Sequence, residues 1–321
     1  MAPENTESTE FTEFHAELRS VAGDLLAKDR TADWSVLVDA GWVGLEIPER
    51  FGGAGASFAE TAVVCEEIGR AAGVTSFLGS AVLAVGTLNA LQPNATRDRL
   101  LAEVASGATR LAVALEPSEF VPDADGADHI LLVRGDGVGL ASPTVTPQPV
   151  VDETRHLAAV SDVEPAEVLP FTDSLAAQRL RDRAAVAIAC DSLGISEAML
   201  SATVGHAKVR HQFGRPIGSF QAVKHACADM AVGIAVSRQL VTTAAQAVSQ
   251  DRPDAGTAAA MAKSHTCAAA VDIAGKAMQL HGGIGYTWES GIHVYLKRAV
   301  LNRSLFGSPA AHRRRLAERY H

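Results

Sequence analysis

The chain has 321 residues, of which 47% are hydrophobic and 20% charged, so a sizeable core can form and wholesale disorder is excluded. Aromatic residues make up only 5%, a composition that suits close helix packing better than a sheet rich in Tyr and Ile. The net charge of −9 argues against nucleic acid as a main partner.

Residues 1–30 carry seven acidic and three basic side chains, the wrong sign for a targeting peptide. No apolar run approaches the ~18–20 residues of a membrane span, so no membrane partner is expected. The four cysteines, Cys65, Cys190, Cys227 and Cys267, are widely spaced without a CxxC pair and read as reduced, buried thiols. The expected location is cytoplasmic.

Residues 1–108 read as a helical domain. Phe14, Leu18, Val21 and Leu25 recur at helical spacing, and a less regular period passes through Val63, Glu67 and Arg70. Between them, residues 41–55 are so punctuated by Gly and Pro that they form a structured loop. Residues 109–172 change character: Leu111–Leu115, Ile130–Val133 and Val145–Val151 are short apolar runs bounded by turn residues, which predicts a small β domain.

From 173 to 321 the helical period returns. Ala189, Leu193, Ser196, Leu200, Val204 and Ala207 form one stripe. Val223, Cys227, Met230, Ile234 and Val241 form a second, and Ala262, Thr266, Ala269, Ile273, Ala277 and Leu280 a third. A fourth helix near 290–303 completes a four-helix bundle. The fold class is mainly α with a small central β domain.

Two stretches carry chemistry. Residues 210–221, RHQFGRPIGSFQ, join two long helices. They read either as a connection whose Arg residues favour the preceding helix dipole, or as an anion site with aromatic neighbours. In residues 279–289, QLHGGIGYTWE, the glycines fit a pyrophosphate held by backbone N–H groups or a helix cap with its turn. His206, His211, His265 and His281 have no metal spacing and read as structural or surface residues, and no metal site is expected. The run Arg313–Arg315 with Arg319 reads as a solvated helix face.

Three segments in this order, GWVGLEIPERFGGAGASFAETAVVCEEIGR (41–70), RHQFGRPIGSFQAVKHACADM (210–230) and QLHGGIGYTWESGIHVYLKRA (279–299), resemble the acyl-CoA dehydrogenase family of flavoproteins. The resemblance implies an N-terminal helical domain, a middle β domain and a C-terminal four-helix bundle. It also implies FAD bound across a subunit interface. Arg210, Phe213 and Gln221 match the family's contacts to the ADP half of a neighbour's FAD, and Gln279, Gly282 and Gly283 match the pyrophosphate neighbourhood. Glu289 matches a family Glu taken as structural.

Two departures accompany these matches. The family's catalytic base lies at one of two positions, occupied here by Phe306 and Ala184, neither of which accepts a proton. Asp182 and Asp191 are the nearest acids. The β domain is reduced, and the family's Thr-Glu-Pro and Gly-Ser-Asp motif shrinks to Leu115–Ser118 without Gly-Ser-Asp.

The resemblance therefore implies the short subunit of a heteromeric acyl-CoA dehydrogenase, a heterotetramer of two short and two long chains. The longer subunit would supply the base for α,β-dehydrogenation of an acyl-CoA thioester, and the likeness to paired chains of sterol catabolism points to a bulky, steroid-derived acyl group. An electron-transfer flavoprotein is the expected acceptor. The alternatives are a self-sufficient homo-oligomeric flavin enzyme with an atypical acid and a non-redox scaffold of the same fold.

Overall fold

The computed structural model describes residues 6–116, 118–161, 163–165 and 167–318. Pro117 and Arg319 lie outside them. Helix α1 (Thr6–Lys28) is followed by a two-residue strand β1 (Thr31–Ala32) and the short α2 (Trp34–Asp39). The buried face of α1 is rotated from the expected stripe. Ala22 and Leu26 are buried, while Phe14 and Val21 are about half exposed (47% and 50%).

The glycine-rich loop folds back on itself: Ala54 N–H donates to the Gly44 carbonyl and Gly55 N–H to that of Ile47. Gly53 is required there, because a Cβ would lie 2.1 Å from the Ile47 carbonyl oxygen. Helix α3 (Phe58–Ala71) starts at a complete capping box, Ser57 with Glu60. Its weak apolar period has a simple cause: the helix is buried almost all round, and its carboxylates are paired. Glu66 meets Arg238, Glu67 meets Arg70 and Glu60 meets His15. Burial would raise the Glu60 carboxyl, but hydrogen bonds with His15 and Ser57 hold it at about 2.

Strand β2 (Val74–Thr75) pairs in parallel with β1. A π-helical stretch (Leu78–Val85) then runs into α4 (Gly86–Asn89), and α5 (Ala95–Ala105) follows. The β region holds β3 (Leu111–Ala114), β4 (Val121–Pro122), β5 (His129–Arg134), β6 (Gly137–Ala141), β7 (Val145–Gln148), β8 (Leu157–Val160) and β9 (Glu167–Pro170). They form a four-stranded sheet, β3-β5-β6-β9, and a three-stranded one, β4-β8-β7. Residues 111–115 and 130–133 were legible as apolar runs. β6, which contains Gly137 and Gly139, and the two-residue β4 gave no such signal.

The bundle consists of α6 (Ala176–Val209), α7 (Gln221–Ser249), α8 (Ala255–His281) and α9 (Ile292–Ser304), with α10 (Pro309–Ala317) closing the described chain. A tight hairpin, β10 (His211–Gln212) with β11 (Arg215–Pro216), joins α6 to α7. Within the second and third stripes, Met230, Ile234 and Val241 on α7 and Ala262, Thr266, Ile273 and Ala277 on α8 are buried. By length and composition α6 could cross a membrane, although no such run was expected. Its apolar window is 78% buried inside the protein, as befits the bundle's central helix.

Candidate functional site

One end of the bundle gathers the residues of both motifs. Helix α6 stops at Arg210, whose backbone turns extended (φ −75°, ψ 123°). The hairpin then turns through two left-handed residues, Phe213 (φ 53°) and Gly214 (φ 78°), the geometry that matches strand twist in a two-residue turn. Ile217 N–H closes the hairpin onto the Arg210 carbonyl at 2.8 Å. The turn thrusts Phe213 into solvent, 91% exposed, with its ring edge-on to Phe220. Gln221 is the first residue of α7.

The end of α8 meets the last turn of α6 through a ring stack: His206 and His281 lie 4.4 Å apart, centroid to centroid. The His281 Nδ1–H donates to the Ala277 carbonyl at 2.7 Å, which fixes the ring. Burial first, then the nearby His281 and Arg210, pull the His206 pKa down. The helix ends at Gly282, whose positive φ (62°) disfavours any other residue. No atom lies within 4 Å of where a Cβ would stand on Gly282 or Gly283, so the backbone there is open to a ligand. Arg210, Phe213, Gln221, Gln279, Gly282 and Gly283 are therefore all exposed, on the ends of three helices at one end of the bundle. A guanidinium, a ring, two amides and bare backbone suit the ADP half of a dinucleotide.

A separate cavity of about 480 Å³ lies between β3, β4 and β8 on one side and the end of α9 on the other. Val113, Leu115, Glu116, Arg181, Leu305 and Phe306 are on its wall. Phe306 is held in the left-handed region (φ 56°), and Gly307 follows at φ 100°. His312 Nε2–H donates to the Phe306 carbonyl at 3.0 Å. Burial lowers the His312 pKa, so the ring is kept neutral. The fully buried Lys263 donates to the Asn302 carbonyl at 2.7 Å and so ties down the last turn of α9. The turn carrying Phe306 is thus fixed from α8 and from α10. Ala184, the second expected base position, is fully buried and absent from the cavity wall.

Neither atypical acid is available for proton transfer. Asp191 is buried; Arg298 Nη2 lies 2.6 Å and Arg155 Nη2 2.9 Å from its Oδ2, and the Asn302 amide donates to Oδ1 at 2.6 Å. Burial would raise its pKa, but the charges of Arg298 and Arg155 bring it below the usual carboxylate range. Arg298 also reaches the Gly73 carbonyl and Thr154, so this cluster locks the N-terminal helices, the β region and the bundle together. Asp182 pairs with Arg315 of α10. In this structure both acids serve as counter-ions to arginines.

Two family models match, the acyl-CoA dehydrogenase N-terminal domain over residues 9–108 and its C-terminal domain over 175–321. Acyl-CoA dehydrogenase IpdE2 of Mycolicibacterium smegmatis is 38% identical over 287 residues, covering 88% of this chain and 86% of that one. The chain belongs to the acyl-CoA dehydrogenase family. Among solved structures, the Tcur3481-Tcur3483 steroid ACAD superposes with a TM-score of 0.86 at 27% identity, covering 96% of this chain and 97% of that one. A chain of the ChsE4-ChsE5 complex from Mycobacterium tuberculosis shares the fold, with a TM-score of 0.83 at 24% identity over 95% and 96%.

The family's cofactor is FAD. Glu116 and Arg181 are the charged residues on the cavity wall, and sequence reading assigned neither a role. Glu116 was legible only as part of a reduced motif, and Arg181 only as one of several charges at the start of α6.

Proposed function

We propose that this chain is the short subunit of a heteromeric acyl-CoA dehydrogenase acting on a bulky, steroid-derived CoA thioester in the cytoplasm. In this reading it presents the ADP side of an FAD site to a neighbouring subunit, and a longer partner supplies the base. One observation carries it: the ADP-side residues are exposed at one end of the bundle, while Phe306 and Ala184 occupy both expected base positions. The identity to an acyl-CoA dehydrogenase supports the reaction class, and the likeness to a solved steroid ACAD supports the substrate class.

When bound, FAD accepts the β-hydrogen as hydride. The chain's own contribution is positional: Arg210 neutralises phosphate, Phe213 stacks, the two Gln side chains hydrogen-bond, and Gly282 and Gly283 admit the pyrophosphate. Val209 and Tyr286, 73% and 71% exposed, flank this surface and support its being covered by another subunit. An electron-transfer flavoprotein would then reoxidise the cofactor.

The Glu116 carboxylate on the cavity wall favours a second reading, a self-sufficient flavin enzyme. Expression alone and with the product of the adjacent gene separates the two. Flavin absorbance only on co-expression supports the heteromer. A flavin-loaded, active chain on its own, inactivated at least a hundredfold by Glu116→Gln, supports the second reading. No flavin in either preparation leaves a scaffold.

A further inference from the structure

We propose that the cavity walled by Phe306 binds an amphiphilic monocarboxylate, its apolar body against the β strands and its carboxylate on Arg181. The cavity, about 480 Å³, is within the range of small-molecule sites. Apart from Glu116, Arg181 and the small polar Ser304, its wall is built from residues such as Val113, Leu115, Phe120, Leu157, Leu301 and Leu305.

Arg181 is the feature that calls for a ligand. It is half-buried, and its one described hydrogen bond is a marginal 3.5 Å approach to the Ala177 carbonyl one turn back. No ion pair joins it to a carboxylate among the described residues. Its neighbours on the same helix differ: Arg179 has Asp173, and Arg183 has Glu46. Glu116 does not fill the gap, because it is exposed and also faces a polar groove beside Ser118, Glu119 and Arg134. A guanidinium facing an apolar space is matched by a planar oxyanion that arrives attached to apolar surface. Arg181 is the lone cation on the wall, which favours a monoanion over a pyrophosphate.

The inference goes beyond the proposed function and does not depend on it, since binding is read without turnover. The probes are 1-pyrenebutyrate and its uncharged analogue 1-pyrenebutanol, titrated by fluorescence into the full-length protein in the assembly in which it purifies. The acid should bind about tenfold to a hundredfold more tightly than the alcohol. Arg181→Met should erase that preference and leave the alcohol's Kd unchanged, which also certifies that the variant is folded. Arg181→Lys should retain part of the preference. Equal binding of acid and alcohol by the unaltered protein, or a preference that survives Arg181→Met, overturns the proposal. Displacement of pyrenebutyrate by coenzyme A, with coenzyme A weakened by Arg181→Met to the same degree, would assign Arg181 to a phosphate and overturn the carboxylate.

Discussion

Removing the charge from Asp191 would leave the guanidinium groups of Arg298 and Arg155 in the interior without a counter-ion; Arg298 is only 1% exposed. Breaking a buried pair from one side typically costs about 3–5 kcal/mol. Urea unfolding of Asp191→Asn should show a loss of that size, and a loss below about 1 kcal/mol would mean that the cluster is not a structural lock. Because the folded pKa lies below the ordinary one, this stabilisation is complete above the unfolded pKa of about 3.9 and is lost as pH falls through the folded value.

Asp123 has the opposite sign. Burial raises it to about 6 despite the Gly79 N–H at 2.7 Å. A carboxyl raised on folding favours the folded state below its unfolded pKa, and that contribution declines as pH climbs from about 4 to about 6. The shift is worth about 3 kcal/mol, and Asp123→Asn should flatten the unfolding free energy across that window. An unchanged pH profile in the variant would show that Asp123 is not the group responsible. Neither residue announced its role in the sequence: Arg298 lies 107 positions beyond Asp191, and spacing rules do not span such distances.

At the scale of elements, α3 and α6 cross at two glycines. A Cβ on Gly69 would stand 2.0 Å from the Asp191 carbonyl oxygen, and one on Gly194 would stand 1.9 Å from that of Glu66. Gly194→Ala must therefore push the helices apart. Overpacking of this kind costs about 1–3 kcal/mol or more, so the thermal midpoint should fall by several degrees. An unaltered midpoint would refute the close crossing.

The helices of the bundle were legible because their small and apolar residues recur at helical spacing, and the chemistry-bearing loops because Gly, Pro and Arg interrupt that spacing. The face of α1 was read only in part: Leu18 and Leu25 pack against the core as expected, but Phe14 and Val21 are half exposed and Ala22 and Leu26 carry the deepest packing. The ends of α6 and α8, which carry the two motifs, are joined by the stack of His206 on His281, a contact between helices that no local pattern encodes. The cavity escaped notice for the same reason: β3, α6 and the turn after α9 build it together.

For the whole molecule, both halves of the proposed function, a surface covered by another subunit and a phosphate held there, rest on the exposed Phe213, Val209 and Tyr286 and on the cation of Arg210. A chain of this kind should gain flavin and stability when its partner is present, because ligand and subunit both bind the folded state. The decisive quantity is the flavin occupancy of the purified heteromeric complex carrying Arg210→Ala in this chain, compared with the unaltered complex at equal assembly. Loss of a charge-assisted phosphate contact is worth about 1.5–3 kcal/mol, or roughly ten- to a hundredfold in affinity. The account predicts an intact complex that releases FAD on dilution or gel filtration, whereas full flavin occupancy in the variant complex would contradict it.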